Sequence, residues 1–309
     1  MSQIVSERSG RFRAILQNPV TMKELRSRMR GRRAFVVLTV YLLVMSLFLS
    51  LVYLAYASAS GTRFGPDSRQ AGKAMFAVVV GVEVFLVIFI APAFTSGAIT
   101  GEKERQTYDL LRTTLLPANW FVLGKLFSAL SYVFLLIFAS IPLQSISFLL
   151  GGLSLEELFL GQLLVLVASV TFALFGLYCS SVMRSTLAAS VVTFDGALFW
   201  TIGLPILILM FMGFFGSFFF SSSISRITET MLYYIGSVLV ATNLPATMII
   251  SEVVLLQENT LFLFKLPLSS SSGSITLLSP WSLFLVVYIL AALLLYWACV
   301  RRVKRIAER

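Results

Sequence analysis

Six stretches of this 309-residue chain are apolar enough, and long enough, to cross about 30 Å of hydrocarbon, which takes about 20 helical residues each. They cover residues 34–56, 74–94, 126–150, 158–179, 187–212 and 281–300. Composition agrees: 58% of the residues are hydrophobic, 12% are charged, and the mean hydropathy is +0.91. A soluble globule is nearer half apolar, so the sequence predicts an all-α polytopic membrane protein. Local signals support several helix starts. Ser154 with Glu157 forms a capping box before the fourth span, and Ser279 with Pro280 gives an N-cap followed by proline at the first helical position. Length also separates the first span from a cleavable signal segment, whose apolar core is about 7 to 15 residues, so it is expected to stay as an anchor.

Lysine and arginine predict the orientation. With both termini on one side, the segments on that side carry nine, four, one and five of them, and the opposite segments carry three, none and two. The basic excess marks the cytoplasmic face, so both termini are expected inside, at a plasma (inner) membrane. The net charge of +10 then faces anionic lipid. Nucleic-acid binding is not expected, because no aromatic stacking platform accompanies the basic residues. Cys179 and Cys299 both lie in apolar stretches and suggest no disulfide framework. Histidine is absent, which removes histidine bases and ligands; no catalytic, cofactor or metal site is expected on this chain.

The chain therefore divides into a basic N-terminal segment (1–33), a six-span bundle (34–300) and a basic tail (301–309), all one transmembrane domain. In "NPVTMKELRSRMRGRRAF", Asn18 and Pro19 can start a helix with Met22, Leu25 and Met29 along one side. That is the pattern of an interfacial helix lying on headgroups; a basic tether without helix is the other reading. Between spans five and six, two short outer helices are expected, around 231–241 and 246–256. A seventh span there would put "RRVKR" outside, and Asn243 with Pro245 breaks the run.

Polar residues inside the spans are costly, about 2.5 to 3.5 kcal/mol for a charge at mid-membrane on insertion scales. Glu83 and Asp195 are the acids well inside, and Gln144 accompanies them. A place on a translocation path and a hydrogen-bonded role in helix packing are both open for these three. Pro92, Pro142 and Pro205 are candidates for kinks.

The most polar interruption is "TGEKERQTYDLLRTTLL", between spans two and three. Thr107, Leu110, Leu111, Thr114 and Leu115 recur at helical spacing, opposite Arg105, Asp109 and Arg112, and Pro117 ends the pattern. By spacing alone this helix either caps the bundle or offers a face to a cytoplasmic partner. The run "GEKERQTYDLLRTTLLPANWFVLGKLFSAL" resembles the signature loop of type-2 ABC transporter permeases, a G-E-x-E-R-x-T-x-E/D-L-L-x-x-T-P pattern followed by G-K-L. The N-terminal and C-terminal stretches resemble that family's ends too. Leu115 departs from the pattern, standing where proline is usual, with Pro117 two residues on.

The resemblance implies six spans, an N-terminal elbow helix and a coupling helix seated on a separate cytoplasmic ABC ATPase. It implies a second permease chain, identical or related, and an exporter. Glu102, Lys103, Glu104, Arg105, Thr107, Asp109, Leu110, Leu111 and Thr114 would then be the coupling residues. ATP and Mg would belong to the partner ATPase, since Gly72-Lys73 and Gly124-Lys125 lack the glycine spacing and the following Ser or Thr of a P-loop. A self-sufficient channel or secondary transporter, and a non-transporting scaffold, are the alternatives.

Overall fold

The computed structural model describes residues 32–59, 68–106, 117–219, 226–258, 261–268 and 274–307. Six of its helices are long and apolar enough to cross a membrane, so the chain is an integral multi-pass membrane protein. The first is α1 (Arg32–Ala59); the second is α2 (Ser68–Thr95), which continues after a turn as the short α3 (Thr100–Glu104). The third and fourth are α4 (Ala118–Leu149) and α5 (Leu155–Val182). The fifth comprises α6 (Thr186–Leu198), a π-helical turn Phe199–Gly203, and α7 (Leu204–Phe219). After α8 (Arg226–Ala241), α9 (Leu244–Glu258) and a hairpin of β1 (Leu263–Pro267) and β2 (Ser274–Leu278), the sixth span is α10 (Pro280–Ala307). The expected elbow helix falls before residue 32, outside the described residues.

Helix α5 is the hub, packed on α2, α4, α6 and α10. Its start is fixed by the expected capping box: Ser154 Oγ accepts the Glu157 amide at 3.2 Å and Glu157 Oε2 accepts the Ser154 amide at 2.9 Å. Just before it, Gly151 sits at φ +75 and Gly152 passes against the backbone of Arg69 and Lys73, so close that a Cβ there would lie 2.5 Å from the Arg69 carbonyl oxygen. Only glycine permits both the turn and the approach. Spans α2, α4 and α5 form the interior, whereas α1, the fifth span and α10 expose most of their apolar length.

The break in the fifth span has a local cause. Leu204 donates its amide to Phe199 rather than Trp200, and Pro205 has no amide to offer Thr201. The two carbonyls are taken by one side chain: Asn243 Nδ2 donates to Trp200 O at 3.3 Å and to Thr201 O at 2.8 Å. Its Oδ1 accepts the Ala246 amide at 3.1 Å and caps α9. Around this joint Trp200 Nε1 and the Tyr288 hydroxyl both donate to Thr242 O, at 2.9 and 3.0 Å. The Asn243 that interrupts the outer helices is therefore what docks them onto the bundle.

The two short helices expected between spans five and six are present, with α8 longer than the apolar pattern implied. The antiparallel hairpin, with Leu263 opposite Leu278 and Pro267 opposite Ser274, adds a small sheet to a fold expected to be all helical. Its Phe264 and Leu277 pack on Val254 of α9.

Candidate functional site

At the end of α2 the chain turns after Thr95 and starts α3 with its first amides aimed at α5. Ile99 and Thr100 both donate to Ser180 Oγ at 3.0 Å, and the Thr100 hydroxyl lies 3.3 Å from the same oxygen. Ser96 and Ser190 hydroxyls meet at 3.1 Å, which joins the turn to α6.

The charged run that follows is spent on three different elements. Glu102 pairs with Lys125 of α4 at 2.5 Å, and the lysine side chain is only 4% exposed. Lys103 donates to Ser181 O at 2.8 Å and Met183 O at 3.5 Å, satisfying carbonyls at the end of α5. Glu104 accepts the Thr186 amide at 2.7 Å and its hydroxyl at 2.9 Å, at the first turn of α6, where a carboxylate also suits the helix dipole. Ser185 caps the same helix by accepting the Ala188 amide at 3.3 Å. Three consecutive side chains thus tie the end of span two to spans three, four and five.

Arg105 is exposed, and Gln106 turns the backbone at φ 57. The single helix expected over 102–115 is thereby interrupted, because α3 ends at Glu104 and a left-handed residue cannot continue it. Thr107, Asp109, Leu110, Leu111 and Thr114 lie outside the described residues. Pro117, expected to end the loop helix, occupies the position that starts α4, with φ −66 and ψ 143, while the residues just before it lie outside the described ones.

The intramembrane polar residues separate. Glu83 is wholly buried, and its carboxylate accepts the Ser140 hydroxyl, Gln144 Nε2 at 2.9 Å and Gln162 Nε2 at 2.9 and 3.1 Å. Glu83 and Gln144 are therefore brought together, within a clamp of α2, α4 and α5. Ser140 and Gln162 complete it; the signal for Gln162 was a lone amide in an apolar run, which sequence reading passed over. Asp195 is elsewhere, exposed on α6 a turn before the π-helical turn.

On the side of the bundle where α5 begins, a cavity of about 380 Å³ lies between α2, α5 and α9, walled by Phe76, Val80, Leu160, Met248 and Trp281, with Glu157 and Glu252 among its lining. Burial pushes the Glu252 carboxyl up; nearby Lys73 draws it down and Glu157 adds to the rise. Among the described residues, no group of three or more His, Cys, Asp or Glu side chains gathers as a metal site.

The family model for the ABC-2 type transporter matches residues 19–202, more than half of the chain. The chain belongs to the ABC-2 type transporter family. The match runs through the bracketed ends of spans two to five and stops within the π-helical turn, so the bracket of Glu102, Lys103 and Glu104 and the Glu83 clamp both lie inside it. No curated protein matches the chain. As an ABC-2 transporter chain it is a membrane-spanning permease subunit, of a family that generally associates with an ATPase subunit and dimerises.

Proposed function

We propose that this chain forms half of the translocation path of an ATP-driven exporter in the plasma membrane, with both termini cytoplasmic. It takes its drive from a separate cytoplasmic ATPase that holds ATP and Mg, and the chain itself does not hydrolyse ATP. The observation that carries this reading is the bracket of Glu102, Lys103 and Glu104. These residues bind α4, the end of α5 and the start of α6, and the segment expected to meet the ATPase follows directly at residue 107. A displacement of that segment would move four span ends as one body, which is how packed elements transmit a switch. The bracket is thus the inner half of the coupling element; Arg105 and residues 107–115 are its outer half.

Asp195 supports a path along the fifth span. A charged side chain exposed to lipid at mid-membrane is costly, so its face meets water or a second permease chain, and the open apolar surface of α6 and α7 fits the latter. Glu83 takes the packing role rather than a place on the path.

The test is reconstitution with the partner ATPase in proteoliposomes. Glu104→Lys is expected to insert normally yet abolish transport and permease-dependent ATP turnover. Normal turnover in that variant overturns the reading.

A further inference from the structure

The C-terminal end of α10 carries a second concave site. A cavity of about 240 Å³ between α5 and α10 is lined by Tyr178, Trp297, Ala298, Arg301, Arg302 and Arg305. Arg305 stands four residues after Arg301 and three after Arg302, spacings that make it a helical neighbour of both, and all three line the same hollow. The Arg301 guanidinium lies over the Trp297 ring, 5.0 Å from its centroid, a cation–π contact. Among the described residues, no carboxylate stands within ion-pair distance of these arginines. Lys103 lies near enough to Arg302 for their like charges to repel. Among the described residues, the hollow is thus a cluster of positive charge without an anion.

We infer that this cavity holds the phosphate of an anionic phospholipid. Guanidinium forks match phosphate oxygens two at a time, and basic pockets between spanning helices take such headgroups. The site's level favours lipid over a free anion. Trp297 is 59% exposed on the outer face of α10 and Tyr178 faces it across the hollow, an aromatic pair of the kind found at the headgroup boundary. A phosphate there would also offset the repulsion between Arg302 and Lys103. Lipid occupancy would then bear on the bracket that Lys103 makes with the end of α5.

Native mass spectrometry of the full chain, titrated with phosphatidylglycerol or phosphatidylcholine, tests this. Wild type is expected to hold one phosphatidylglycerol in strong preference to phosphatidylcholine. At about 1 kcal/mol per basic residue, Arg302→Gln should weaken it about fivefold, and Arg301→Gln with Arg302→Gln and Arg305→Gln on the order of a hundredfold. Lys304→Gln lies on the same turn outside the cavity and should change binding less than twofold, roughly, if the site is local. Equal losses for Lys304→Gln and Arg302→Gln would mean a diffuse surface charge, and displacement by millimolar inorganic phosphate would mean a free-anion site; either overturns the proposal. If the triple variant fails to insert, the comparison of these two single variants decides.

Discussion

Glu104, the last residue of α3, holds the backbone amide of Thr186 at 2.7 Å and its hydroxyl at 2.9 Å, across 82 positions of sequence. One carboxylate thereby fixes the end of the second span against the start of the fifth. Removing one carboxylate-to-amide bond in an exposed place costs little stability, about 0.5 to 2 kcal/mol as for a helix cap. If the bracket transmits motion, function should fall far more than stability. Glu104→Ala, which removes both acceptors, is therefore expected to keep expression and melting near wild type while transport drops more than about tenfold. Thr186→Val, which removes only the hydroxyl, should give a smaller loss in the same assay. Parallel loss of melting temperature and transport in both variants would reduce Glu104 to a structural cap.

The Glu102 and Lys125 pair makes a stability prediction of the opposite kind. Lys125 is nearly enclosed whereas the Glu102 side chain is 22% exposed, so Lys125→Met removes the cation of the pair and should cost less than the about 3 to 5 kcal/mol of breaking a fully buried one. Converting both residues, Glu102→Gln with Lys125→Met, should recover most of that. Thermal unfolding in detergent of the two singles and the double closes the cycle, and additive losses would show that the two groups are not coupled.

Within the membrane, the Glu83 clamp should respond in small steps. Hydrogen bonds between spanning helices average about 0.6 kcal/mol, with about 1.7 at most. Gln162→Leu removes both donations to Glu83 from α5 and is expected to lower stability by roughly 1 to 2 kcal/mol on that scale, with substrate transport retained. A transport loss at unchanged stability would instead return Glu83 to the translocation path.

The sequence made the spans legible because length and hydropathy alone decide them, and the capping box before α5 was readable from Ser154 and Glu157 together. What it hid were partners distant along the chain. Nothing in "TGEKER" announces that Glu102, Lys103 and Glu104 would face three separate helices, since helical spacing reports a residue's own face and not what stands opposite it. The role of Gln162 was hidden for the same reason. The hairpin was missed because Leu263–Pro267 and Ser274–Leu278 are short and flanked by a serine-rich stretch that reads as loop. The π-helical turn was half visible: Pro205 marked a candidate kink, but the Thr201 carbonyl's role as acceptor for Asn243, 42 residues away, was not.

Orientation can be tested with single cysteines in a cysteine-free background. Gln106 and Ala307 should label only from the cytoplasm, and Ser274, exposed at the start of β2, only from outside. External labelling at Ala307 would defeat the six-span arrangement with both termini inside.

Asn243 offers the sharpest separation, because its two ends do different work. Asn243→Asp keeps Oδ1 for the Ala246 amide but replaces the donor that serves Trp200 O and Thr201 O with an acceptor, so two carbonyls freed by the π-helical turn and Pro205 lose their partner. Asn243→Ser can still cap α9 but is too short to serve both carbonyls, and Asn243→Ala loses the cap as well. An unmet buried polar group costs about 1 to 3 kcal/mol and a lost cap about 1 more. The expected order of stability is wild type, then Asn243→Ser, then Asn243→Ala, with Asn243→Asp lowest because its carboxylate would face the carbonyl oxygens of Trp200 and Thr201. Thermal unfolding in detergent reads this order directly. If Asn243→Asp were as stable as wild type, the carbonyls of the fifth span would have another donor, and the outer helices would dock on the bundle by packing alone.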